Sequence, residues 1–157
     1  MRRTHSSPSH RLAIVTVAGI VHYLVFTKLL GFGAAIAAPS WYAPFLREHQ
    51  ALGLALMSLV THLPMIAISA AIVGYAIASF LPNRHFFYGL LAVCVTVLFS
   101  AILQVGGNGF WMQLRDSVMP RYLFAAPTVV AIWLFLPAAA YWFGRAKSRA
   151  EFGGYVG

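Results

Sequence analysis

ALGLALMSLVTHLPMIAISAAIVGYAIASFL, residues 51–81, holds no Asp, Glu, Lys or Arg in 31 positions. As a helix at ~1.5 Å per residue it is about 46 Å long, more than the roughly 30 Å hydrocarbon core of a bilayer. A water-exposed helix of that length needs a polar face, and this one has none wide enough. The segment therefore belongs in lipid or among other membrane helices. It carries one titratable side chain, His62, two residues before Pro64.

Working outward, the same logic predicts three more spans. The first is 12–38, the third 86–105 and the fourth 121–143, with 51–81 as the second. Residues 1–11 and 144–157 form basic tails. The fold class is all-α, a polytopic four-helix transmembrane bundle. The basic start of span one and its Ala35-Ile36-Ala37 resemble a signal peptide. His22 and Lys28 inside the run favour a retained helix instead. Pro39 stops that helix, Pro82-Asn83-Arg84-His85 makes a tight turn, and Gly106-Gly107-Asn108-Gly109 ends span three.

The 157 residues are 61% hydrophobic and 9% charged, against about 25% charged in soluble domains. The net charge of +8 comes from basic residues clustered at the ends of apolar runs. Anionic headgroups are the partner that this placement suits, and no basic aromatic stripe is long enough to track nucleic acid. Seven cations lie in the tails and the 82–85 turn, against Arg47, Arg115 and Arg121 near the other two connections. The positive-inside rule places both termini in the cytoplasm, in a cell membrane expected to be a bacterial inner membrane. The single Cys94 excludes an internal disulfide and a cysteine zinc site.

The two aromatic connections, 39–50 and 110–120, are expected to face outward. Trp41, Tyr42, Arg47 and Glu48 in one, and Trp111, Arg115 and Asp116 in the other, form a candidate interface. Leu46-Arg47-Glu48 and Leu114-Arg115-Asp116 look alike, as a duplicated hairpin would. Shared headgroup chemistry is the favoured explanation of the likeness, because a three-residue match in an amphipathic setting is a weak sign of duplication. Each arginine is expected to pair with the carboxylate that follows it.

His22 and His62 each lie eleven residues into a span, which predicts a common depth near the midplane. Two imidazoles there would ligate haem b, hydrogen-bond a quinone or relay a proton. The plainer reading is a neutral histidine bonded across a helix interface. Ser58, His62, Met65 and Ser69 form one narrow polar stripe that a neighbouring helix would cover. The other histidines, His5, His10, His49 and His85, read as solvated. Lys28 is turned ~120° from His22 and snorkels. Ala70, Gly74 and Ala78 form a small-residue packing ridge against another span, another copy or a partner.

No nucleophile–base set, metal spacing or intramembrane carboxylate is present in the sequence. Three functions are compatible with this pattern. The leading one is a non-catalytic membrane protein that binds another membrane protein or further copies of itself, as an accessory subunit, assembly factor or immunity-type protector. The second is a haem- or quinone-binding redox subunit using His22 and His62. The third is a small oligomeric transporter or channel.

Overall fold

The computed structural model describes residues 7–35, 39–103, 109–119 and 126–153, and every regular element among them is a helix. These are α1 (Pro8–Ala35), α2 (Tyr42–Glu48), α3 (Gln50–Met57), α4 (Leu63–Phe80), α5 (His85–Leu103), α6 (Gly109–Asp116) and α7 (Ala126–Gly153). A π-helical turn, Ser58–His62, joins α3 and α4 into one continuous span. Four helices are long and apolar enough to cross a membrane: Pro8–Gly33, Gln50–Phe80, His85–Leu103 and Ala126–Ala150. This is the all-α, four-span architecture that the sequence predicts.

The helix ends differ from expectation for local reasons. Span one starts at Pro8, not Leu12, because Ser7 caps it: its Oγ accepts the His10 amide at 3.3 Å. Proline suits the first helical position, where its missing N–H has no partner to lose. At the other end α7 continues beyond Phe143 to Gly153. Arg145, Ala146, Lys147 and Arg149 are good helix formers, so leaving the apolar run does not break the helix. Residues 36–38, 104–108 and 120–125, where Pro120, Arg121 and most of the glycine break fall, lie outside the described residues. The two aromatic connections are not plain loops, since each contains a short helix, α2 or α6.

The π turn has an identifiable cause. Pro64 has no N–H to give to the carbonyl of Val60, and its ring crowds that carbonyl. Widening the preceding turn relieves the crowding. At the far end of α4, Asn83 and Arg84 take left-handed backbone angles, φ 55° and 48°, which reverse the chain within a few residues. His85 Nε2 then donates to the Leu81 carbonyl at 2.8 Å. Its ring lies against α7 and leaves no room for a β-carbon at Gly144. His85 is thus a half-buried clasp of the turn and not the solvated group expected.

Around the bundle the order is α1–α4–α7–α5. Each helix packs along its two neighbours, and α4 and α5 touch only lightly although they are consecutive. Close approaches fix the senses. Thr96 on α5 reaches Gly19 and His22 on α1, and Phe99 one turn later meets the Tyr23 ring edge to face, so the contacts advance together and the two helices are parallel. Ser58 and Thr128 hydroxyls hydrogen-bond between the π turn and α7, and Lys147 Nζ donates to the Ser79 carbonyl at 3.2 Å. Their separations of 70 and 68 make α4 and α7 parallel too. The two hairpins therefore lie side by side in the same sense. The start of α1, the end of α7 and the Leu81–Arg84 turn share one end, and α2 and α6 occupy the other.

The core is built mostly from small and β-branched residues, Ala70, Val73, Ile77, Ala92, Val93 and Ala140, with Leu136 among them. Small side chains suit a membrane bundle, where helices gain by close backbone approach. Pro137 sits fully buried inside α7, and Gly89 of α5 makes room for it: a β-carbon at 89 would stand 2.7 Å from Pro137 Cα.

Candidate functional site

His22 is the most deeply buried titratable group among the described side chains, 1% exposed. It stands in the middle of α1, where Gly19 one turn earlier lets α5 come close. A β-carbon at Gly19 would lie 2.6 Å from the Ala92 carbonyl oxygen. That proximity brings in Thr96. Its hydroxyl stands 2.8 Å from the Gly19 carbonyl, 2.9 Å from the Ala92 carbonyl and 3.4 Å from His22 Nδ1. A hydroxyl has one proton, and both carbonyls accept only. With that proton on a carbonyl, the Nδ1 contact needs the imidazole to donate. The tautomer assigned from this bonding carries its hydrogen on Nδ1 and leaves Nε2 as an acceptor. Nε2 has no partner among the described residues, and neither has Oγ of Ser69 on α4.

An imidazole held at Nδ1 with Nε2 left to accept is how proteins present a histidine to a metal or to a hydroxyl. The surroundings set the limit on what can reach it. With 1% exposure, no water-sized space adjoins the ring, so a ligand would have to part α1 from a neighbour.

His62 does not stand at the same level. It ends the π turn and is half-buried. A β-carbon at Gly33 would lie 2.9 Å from Thr61 Cγ2, so the His62 region faces Gly33 of α1. Gly33 is eleven residues, ~16 Å, along the helix from His22. The expected midplane pairing counted residues from the first apolar position of each run. Span two is longer than a bilayer is thick, and its first helix, α3, packs against α2 at the connector end. Depth counted from Ala51 therefore sets His62 too deep. The geometry provides one oriented imidazole and does not bring a second to it.

The polar stripe faces inward as its spacing predicts: Ser58 and Ser69 are 4% and 0% exposed. The small-residue ridge packs within the chain. A β-carbon at Gly74 would be 2.8 Å from both Ala139 Cβ and Ala140 N of α7. Lys28 is exposed on the outside of α1. Among the described residues no group of three or more His, Cys, Asp or Glu is placed to hold a metal ion.

At the connector end the candidate interface residues lie on α2 and α6 and their caps. Trp41 and Trp111 are 55% and 74% exposed, and Arg47, Glu48 and Arg115 are exposed as well. Tyr42 faces the bundle and donates to the Gly53 carbonyl at 2.8 Å. Trp133 of α7 donates to the Ser117 carbonyl just beyond α6 at 2.7 Å. Each short helix is thereby tied to the span that follows it. Arg115 and Asp116 pair at 3.5 Å, an exposed contact that contributes little.

Thr96, Gly19 and Trp133 were not among the residues singled out in the sequence. Gly19 three positions before His22 was the available signal, since a glycine beside a buried polar group marks close approach. No protein-family model matches the chain, and no similar protein was found among the curated proteins or the solved structures compared.

Proposed function

We propose that this chain is a small, non-catalytic integral membrane protein that acts by binding another membrane protein, as an accessory subunit, assembly factor or immunity-type protector. In this reading both termini are cytoplasmic and α2 and α6 lie on the outer face, in the periplasm of a bacterium. The carrying observation is the connector end. The polar stripe and the small-residue ridge are used inside the bundle. Trp41 and Trp111 remain exposed on short helices that the Tyr42 and Trp133 hydrogen bonds hold in place. Pre-positioned tryptophans are the side chains that most often anchor protein–protein contacts.

The test is purification from native membranes in mild detergent, followed by mass spectrometry. A stoichiometric membrane partner is expected with the wild type and is expected to be lost from the Trp41→Ala/Trp111→Ala variant. A chain that purifies alone, or a partner that the variant retains in full, refutes the reading. Headgroup anchoring of the same rings would leave the purified complex indifferent to the substitutions.

The oriented Nε2 of His22 supports a second reading, a redox or quinone-binding subunit. It predicts a bound chromophore that His22→Ala abolishes. A colourless preparation without extractable quinone refutes it.

A further inference from the structure

α1 and α5 approach closely at Gly19. One to three turns nearer their N-terminal ends the two helices leave a cleft of about 260 Å³, lined by Pro8, Arg11, Leu12, Val15, Tyr88 and Leu91. Its lining is divided by chemistry. Arg11 and Tyr88 are the residues of the lining that carry polar groups; Leu12, Val15 and Leu91 supply an apolar wall.

We propose that this cleft is a binding site for an anionic phospholipid, with the headgroup phosphate at Arg11 and the start of an acyl chain along Leu12, Val15 and Leu91.

Three observations select that occupant. The first is charge. Arg84, Arg145, Lys147 and Arg149 lie at the same end of the bundle as Arg11. Two of the three carboxylates, Glu48 and Asp116, lie at the opposite end on α2 and α6, and Glu151 in the last turn of α7 stands alone against those cations. The field at the cleft therefore favours an anion. The second is donor capacity. A guanidinium presents five N–H groups in a planar fork whose geometry matches two phosphate oxygens. The third is the direction in which the cleft opens. Leu12 lines it and is 62% exposed on a helix that crosses the membrane, so the wall continues onto the lipid-facing surface. A soluble anion gains nothing from that apolar wall, whereas a lipid chain does.

Depth agrees. α1 has 28 residues, ~42 Å at 1.5 Å each, which is more than the hydrocarbon core needs. Its first turn, with Arg11, thus falls in the headgroup layer. The amides of that turn are not the site, because Ser7 already caps them.

The test uses the full chain in mild detergent and native mass spectrometry, with phosphatidylglycerol and phosphatidylcholine of equal chain length offered together. Preferential retention of phosphatidylglycerol is expected. Arg11→Gln is expected to lower it about tenfold, the effect of losing one charge-assisted hydrogen bond. Leu91→Trp, which fills the cleft and leaves Arg11 in place, is expected to lower retention of both lipids. Arg149→Gln, at the same end but outside the cleft, is the control and should bind as the wild type does. Circular dichroism melting verifies that each variant is folded. Equal retention by Arg11→Gln and wild type overturns the proposal, as does displacement of the lipid by millimolar inorganic phosphate, which would make the occupant a soluble anion. Should Arg11→Gln fail to fold, Leu91→Trp decides alone, and undiminished retention there overturns the proposal.

Discussion

Replacing Gly74 by alanine adds one methyl carbon at a point of close approach between α4 and α7. That carbon would stand 2.8 Å from Ala139 Cβ, 2.8 Å from Ala140 N and 3.0 Å from the Ala139 carbonyl carbon. Carbon pairs rest at ~3.5–4.0 Å, so the helices must part by roughly 0.7–1 Å. None of those atoms is the end of a flexible side chain, so the strain is not relieved by a rotamer change. Overpacking of this kind costs ~1–3 kcal/mol. The better helix propensity of alanine returns up to ~1 kcal/mol. With that gain in full, the net expectation is a loss of up to about 2 kcal/mol. Gly31→Ala is the internal control, because nothing lies within 4 Å of a β-carbon there. It keeps the propensity gain of up to ~1 kcal/mol without the strain. The propensity gain is common to both variants, so they should differ by the overpacking cost alone, roughly 1–3 kcal/mol, a factor of about 5 to 150 in the ratio of folded to unfolded chain. Reversible unfolding in mixed micelles, followed by far-UV circular dichroism, reads this directly. Equal stability of the two variants would refute the α4–α7 contact and with it the order of helices around the bundle.

Thr96→Val removes the hydroxyl shared by His22, Gly19 and Ala92, and should destabilise the bundle by about 1 kcal/mol in the same micelle assay, the scale of interhelical hydrogen bonds in membranes. A double-mutant cycle of Ser58→Ala and Thr128→Val should give a coupling of ~0.5–1.5 kcal/mol; additive effects would mean that the two hydroxyls do not meet. Trp133→Phe keeps the ring's bulk and loses the bond to Ser117, so amide hydrogen exchange over residues 109–119 should speed up while α4 and α5 stay protected. Lys147→Met touches only an exposed carbonyl contact and should change stability by less than ~0.5 kcal/mol.

The four spans were legible because each is a long run with almost no charge, and lipid accepts only such runs as helices. The helix ends were less so. The cap at Ser7-Pro8 and the helical course of Arg145–Arg149 depend on local backbone chemistry, which the hydropathy pattern does not report. Neighbour relations were hidden altogether. Spans two and three are joined by a tight turn and yet face each other across the diagonal. Thr96 meets His22 only because that diagonal places α5 beside α1. The paired midplane histidines failed as a geometric expectation for a similar reason. Counting along one helix fixes depth only when its entry point is known, and α3 runs beyond the level where α1 ends.

The side-by-side hairpins bear on how the chain is made. Synthesis delivers α1 to the bilayer well before α5, so the newborn protein presents the imidazole of residue 22 to hydrocarbon with no hydroxyl to meet it. Shelter arrives only with the second half of the polypeptide. An insertase or a waiting subunit has the most to contribute during that interval.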